Sequence, residues 1–161
     1  MKRILALICA VMLLIGLTAC GAPAADDGKY VIGICQLTPH PALDRATQGF
    51  KDAVNEGLGA ENVTIEFRDA AGEASNCATI INGFVASNVD LIMANATPAV
   101  AAAYNATDSI PILGTSVTEY GVALGLDDFN GTVGANVSGT SDLADLSKQA
   151  QMLDDWCPDA K

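Results

Sequence analysis

The sequence predicts an α/β domain in which a parallel sheet is flanked by helices. From about Lys29 onward, short apolar runs alternate with stretches of helical period, the pattern of successive βαβ units. The first run, Tyr30–Gln36, is apolar on both faces, as a strand buried inside a parallel sheet must be. Of the 161 residues, 50% are hydrophobic and 17% charged, a balance that supports one compact core and excludes a disordered chain.

Residues 1–19 stand apart from that pattern. Lys2 and Arg3 precede an apolar run over residues 4–17, which is shorter than the roughly 20 residues of a membrane span and reads as a secretory signal. It ends in Leu17-Thr18-Ala19-Cys20-Gly21, small residues before a cysteine, which resembles the bacterial lipobox and makes Cys20 the expected site of lipidation. An ordinary signal cut near Ala19 or Ala24 is the alternative, and either places the protein outside the cytoplasm. Two or three acyl chains hold a small domain on a bilayer without a transmembrane helix. Residues 20–28 are small, polar and turn-prone, and read as a flexible tether.

After the first strand comes Leu37-Thr38-Pro39-His40-Pro41, then a helix over residues 41–58 with Leu43, Ala46, Phe50, Ala53, Val54 and Leu58 on one stripe. Gly57 and Gly59 end it. Residues 63–68 alternate as a second strand. A helix carrying Cys77, Ile80, Ile81, Phe84 and Val85 follows, with Ser75 or Asn76 as its expected cap. Residues 89–94 form a third strand. Thr97 can cap the Ala-rich helix that runs to about Asn105, with Pro98 at its first position. Residues 110–115 are a fourth strand, whose Pro111 fits only a strand's first residues or an edge. Residues 131–139 are a weaker fifth strand. Thr140-Ser141-Asp142 then caps an amphipathic helix with Leu143, Leu146, Ala150, Leu153 and Cys157 on one side, an apolar face with no later strand to cover. The expected division is therefore signal over 1–19, tether over 20–28, one α/β domain over 29–142 and a final helix over 143–161.

A formal net charge of -11 with no Lys/Arg stripe argues against nucleic acid as a partner. With Cys9 in the signal and Cys20 acylated, Cys35, Cys77 and Cys157 remain, without CxxC spacing or a histidine pair, so no metal site and no cofactor are expected. A Cys35–Cys77 bridge is permitted in an oxidising compartment, though buried free thiols are the plainer reading. There is neither a GxGxxG after the first strand nor a GxxxxGK[ST] anywhere, which excludes the common nucleotide cradles.

The stretches GICQLTPHPALDRATQGFKDAV, VDLIMANATPAVAAA, IPILGTSVTEYGVAL and NVSGTSDL, in that order and spacing, resemble the substrate-binding lipoproteins of ABC importers, in the branch that binds aromatic or other hydrophobic amino acids. The resemblance implies a Rossmann-like first lobe of a type I periplasmic-binding-protein fold, non-enzymatic, anchored on the extracytoplasmic face of a bacterial membrane through Cys20, with a small solute and an ABC permease as partners. It also implies a second lobe that this sequence does not contain. The family often has an acidic or amide residue where this chain has Pro39, and an aspartate where it has Glu119.

In open α/β sheets ligands sit beyond the carboxyl ends of the strands. Thr38 and His40 follow the first strand, Asn95, Ala96 and Thr97 the third, Thr115, Ser116 and Glu119 the fourth, and Asp142 the fifth. A solute carboxylate needs the N–H groups and hydroxyls of the Ala96-Thr97 and Thr115-Ser116 turns, and an α-ammonium needs Glu119 or Asp142. Thr97 and Ser141 are equally readable as helix caps, and His40 as the holder of a turn between two prolines. Phe50, Phe67 and Phe84 fall on core stripes, leaving Tyr120 as the aromatic expected near the cleft. His40, Asp44 and Ser116 invite a hydrolase reading, but no GxSxG elbow surrounds a serine. A surface sensor or interaction module using the same lobe, and a non-functional gene fragment, remain as alternatives.

Overall fold

The computed structural model describes residues 28–159; the signal, Cys20 and most of the tether lie outside them. Five strands form one all-parallel sheet, β1 (Tyr30–Gln36), β2 (Val63–Asp69), β3 (Leu91–Asn95), β4 (Ile112–Val117) and β5 (Val137–Ser141), in the order β2-β1-β3-β4-β5. The chain steps from β1 outward to β2 and then crosses to the other side of β1 with β3, so the topological switch point lies between β1 and β3. The helices are α1 (Pro41–Leu58), α2 (Ala74–Ala86), α3 (Thr97–Ala106), α4 (Tyr120–Leu124) and α5 (Leu146–Trp156). None of the described helices is long and apolar enough to cross a membrane.

The first βαβ unit follows its sequence closely. Pro41 opens α1 directly after the N-cap His40, whose Nδ1 accepts from the Ala42 N–H at 3.2 Å, and Gly59 closes it at φ 84, where a side chain would be strained. Strand alternation then sorts β1 between two layers. Ile32 and Ile34 join Met93 in a small cluster under α1, with Phe50, Val54 and Ile65 packed around it. Cys35 faces the other way, into a larger cluster with Cys77, Ile81, Phe84, Ile92, Val100 and Tyr120, built by α2, α3 and α4. Phe84 lies so close over Gly33 that a Cβ there would meet its ring at 2.6 Å.

Several boundaries differ from the sequence expectation: β3 runs over Leu91–Asn95 rather than 89–94, and β4 over Ile112–Val117 rather than 110–115. The residue capping α2 is Glu73, without a side-chain bond, while Asn76 turns back to donate to the Ala70 carbonyl at 3.1 Å. Ala96 at φ 95 takes the cap position of α3, which makes Thr97 the first helical residue rather than the cap. The fifth strand begins only at Val137, because Gly131 and Gly134 sit at φ 95 and 72 and break any extended run. Thr140 and Ser141 therefore belong to β5, and α5 is capped by Asp145, which accepts from the Lys148 N–H at 3.1 Å. The apolar residues of α5 are exposed, Leu146 at 70%, Leu153 at 63% and Trp156 at 75%.

Candidate functional site

The face of the sheet beneath α1 changes character along its strands. It is apolar at Ile32, Ile34 and Met93, and turns polar at the carboxyl edge through Gln36, Asn95, Thr115 and Thr140 on four neighbouring strands. Parallel register sets Gln36 beside Asn95 and Asn95 beside Thr115. The Thr115 and Thr140 hydroxyls lie 3.2 Å apart.

At the switch point this row is knitted into a buried network. Gln36 is 1% exposed, Thr47 of α1 5% and Asn95 0%. The Thr47 hydroxyl donates to Gln36 Oε1 at 2.6 Å and accepts from Asn95 Nδ2 at 2.9 Å. Asn95 Nδ2 also donates to the Leu43 carbonyl at 2.8 Å. Gln36 Nε2 donates to the Thr38 carbonyl at 3.0 Å and to Asp44 Oδ1 at 2.7 Å. One carboxamide thus fixes the loop after β1, the first turn of α1 and the end of β3. Asn95 Oδ1 is buried and has no partner among the described residues, an acceptor left open where desolvation makes an unpaired oxygen unfavourable.

The neighbouring loops are tied to this edge by backbone bonds. Leu37 donates to the Asn95 carbonyl at 3.2 Å, Ala96 to that of Thr115 at 2.9 Å, and Asp142 to that of Val117 at 3.0 Å. The Ser141 hydroxyl donates to the Thr118 carbonyl at 2.7 Å and accepts from the Leu143 N–H at 3.1 Å, so it stabilises a turn. Ser116 stands at φ 56, a left-handed conformation that coincides with the register shift between β4 and β5. Thr97 and His40 are exposed at their helix starts, Thr38 is half-buried, and Asp142 is exposed.

Glu119 has a definite local role. Its Oε1 accepts from the Gly121 N–H at 2.8 Å and its Oε2 from the Val122 N–H at 2.6 Å, which caps α4. It also lines an open groove of about 470 Å³ with Val122, Asp127 and Phe129. Tyr120, expected near the cleft, is instead 7% exposed and packed over Gly114 and Gly139, with its hydroxyl donating to the Thr140 carbonyl at 3.3 Å. Burial, with a smaller contribution from Asp142, pushes its phenol up from 10.0.

Gln36 and Thr47 were not among the residues the sequence pointed to. Their signal was a polar residue at the end of an otherwise apolar strand, and one inside the apolar stripe of a helix. Among the described residues no group of His, Cys, Asp and Glu is placed to hold a metal ion.

A twofold-layered parallel sheet with its polar side chains gathered at the carboxyl edge, beside the switch point, is the architecture of a lobe that binds small molecules. The chain belongs to the ABC transporter substrate-binding protein family, whose model matches residues 31–161. It is 38% identical over 174 aligned positions to a tyrosine-binding protein of Clostridioides difficile, a match covering 99% of this chain and 50% of that one. Among solved structures it is similar to the ligand-free, open form of a substrate-binding protein with adhesive properties from Clostridium difficile, with a TM-score of 0.73 and 40% identity over 82% of this chain and 45% of that one. It is also similar to an ABC domain in complex with L-Trp from Streptococcus pneumoniae, with a TM-score of 0.71 and 31% identity over 78% and 43% of the two chains. The chain thus spans about half the length of the relatives it matches. Substrate-binding proteins of ABC systems work outside the cytoplasm.

Proposed function

We propose that this chain supplies the first lobe of a solute-binding protein that captures an aromatic amino acid and delivers it to an ABC permease without chemical turnover. Residues 29–142 form the lobe, and 143–161 lead toward the second. The observation that carries the reading is the polar carboxyl edge at the β1/β3 switch point, in a family whose similar members include a tyrosine-binding protein and a domain bound to L-Trp.

The proposed contacts divide by charge. The solute carboxylate meets the free N-terminal end of α3 at Ala96 and Thr97, where the helix dipole favours an anion, with the Thr115 and Ser116 hydroxyls beside it. The ammonium meets Asp142, since both Glu119 oxygens already accept backbone N–H groups. Thr38 and His40 border the solute from the β1 loop, which Gln36 holds through the Thr38 carbonyl, while Asn95 holds the first turn of α1 through the Leu43 carbonyl. The second lobe closes over the solute by hinge motion. Cys20, acylated as its lipobox-like surroundings suggest, anchors the protein to the outer face of the membrane.

The test is calorimetric titration of the full-length protein with L-tyrosine, L-tryptophan and L-phenylalanine, with L-alanine and L-isoleucine as comparators. Saturable binding of at least one aromatic amino acid, weakened at least tenfold by Asp142→Asn, is expected. A folded protein that binds none of the three aromatic amino acids would overturn the proposal.

A further inference from the structure

Resting on the reading of the solute as an aromatic amino acid, we infer that its ring enters a recess beneath the carboxyl edge on the α1 side of the sheet, and that Leu113 sets how large a ring is accepted. The recess holds about 250 Å³ between Phe50 of α1, Met93 of β3, Leu113 and Thr115 of β4, and Thr140 of β5. A strand inside a parallel sheet is normally covered on both faces. In β4, Ile112 is 1% exposed where it faces the larger core, whereas its neighbour Leu113, on the opposite face, is 37% exposed. A large apolar side chain in mid-strand is thus left open directly below the polar edge.

The dimensions suit an amino acid whose charged end lies at that edge. Leu113 and Thr115 point to the same face two residues apart, about 6.6 Å along a strand. That is close to the separation between the charged groups of an aromatic amino acid and its ring. A solute held by the Thr115 hydroxyl therefore brings its side chain to the level of Leu113. Whole small-molecule sites enclose roughly 300–1,000 Å³, so a recess of this size takes one side chain while the rest of the solute stays at the edge.

The wall has the matching chemistry. Its polar groups are the Thr115 and Thr140 hydroxyls, 3.2 Å apart, and below them stand Phe50, Met93 and Leu113. Gly114 and Gly139 contribute backbone alone, since a Cβ on either would meet Tyr120 on the other face, and they leave flat peptide surface on which a ring can lie. Met93 is 2% exposed and forms the floor. Leu113 projects from the wall with no helix packed over it, so its size sets the room available to the ring.

The experiment uses the full-length protein with isotope-labelled methionine methyl groups, titrated with L-phenylalanine, L-tryptophan and L-alanine. The Met93 methyl resonance, assigned by its loss in Met93→Leu, should shift with L-phenylalanine through the ring current and stay in place with L-alanine. In calorimetric titrations Leu113→Ala should move the ratio of tryptophan to phenylalanine affinity about tenfold toward tryptophan, and Leu113→Phe should move it the other way. A folded protein that binds no aromatic amino acid overturns the aromatic reading and this inference with it. Aromatic binding that leaves the Met93 methyl unmoved overturns the inference alone, and assigns the recess to another part of the full-length protein or to a second copy. A shifted methyl with an unchanged affinity ratio in both Leu113 variants overturns the role of Leu113. The methyl spectrum of the unsubstituted protein decides the place of the ring even if a Leu113 variant does not fold.

Discussion

The two faces of the sheet are covered unequally. On one, α2, α3 and α4 enclose a continuous core that takes in residues of all five strands or their flanking loops, from Ala70 after β2 to Val137 of β5. On the other, α1 alone covers Ile32, Ile34 and Met93, and beyond it a recess of about 250 Å³ opens between Phe50, Leu113 and Thr140. The closed face is apolar along β1, β3 and β4 and fixes the fold. The open face is apolar only over half its length, and its polar half holds the candidate site. The same strands serve both purposes because alternation lets each carry two independent patterns.

Core truncation gives the sharpest test of that contrast. Phe84 is 3% exposed and sits against Gly33, whereas Phe50 is half-buried at the rim of the recess. Phe84→Ala should destabilise by about 3–5 kcal/mol and Phe50→Ala by less than half of that, measured by urea denaturation. Equal losses would show that the open face is packed as tightly as the closed one.

The closed face should also respond to alkali. It holds two thiols and one phenol, Cys35, Cys77 and Tyr120, all raised by burial above their ordinary values of 9.0, 9.0 and 10.0. A group whose folded pKa is raised contributes stability that is complete below its unfolded pKa and is lost as pH rises toward the folded one. Stability of the reduced protein should therefore fall from about pH 9 upward, by up to about 1.4 kcal/mol per pH unit for each titrating group. Thermal melts of the reduced protein from pH 8 to 11 read this decline.

How far these faces could be read in the sequence differs between them. The closed face was legible because its residues are apolar, periodic and bounded by residues with fixed backbone demands. Pro98 sets the start of α3, and Cys77, Ile81 and Phe84 lie on one stripe of α2. The fifth strand was misplaced because Thr132 and Val133 have strand character in isolation, while Gly131 and Gly134 take left-handed conformations that a pattern of apolar residues does not reveal. At the site, the sequence pointed to the loops but not to what supports them. Asn95 was expected beyond its strand and is its last, fully buried residue, and Gln36 and Thr47 carry meaning only once 11 residues of separation are folded into a 2.6 Å contact.

That buried support is the next place to test the comparison. Thr47→Val keeps the shape of the side chain and removes the hydroxyl that bridges Gln36 and Asn95. The loss should be about 1–3 kcal/mol, smaller than that of Phe84→Ala, because two buried amide groups each lose a partner while no cavity opens. The same change should weaken aromatic amino-acid binding by the full-length protein if the loops after β1 and β3 are held by this network. Stability lost with affinity intact would separate the network from the site.

The smallest effect belongs to the outer margin of the open face, where Lys51 of α1 extends its ammonium over the Phe67 ring of β2 at 4.5 Å from the centroid. Phe67 is 37% exposed, so no buried core holds the pair together, and a cation over an exposed ring contributes about 0.5–1 kcal/mol. Lys51→Met preserves most of the aliphatic stem that covers the ring and removes the charge alone. A loss within that range, unchanged between low and moderate salt, fits attraction to the ring face. A loss that disappears with salt would trace it to the field of the acidic chain, whose net charge of -11 favours any cation on its surface. The pair matters to the comparison because it fastens α1 to the β2 edge: with so little apolar area beneath α1, a contact this weak is a larger share of what holds the open face than any single contact is on the closed one.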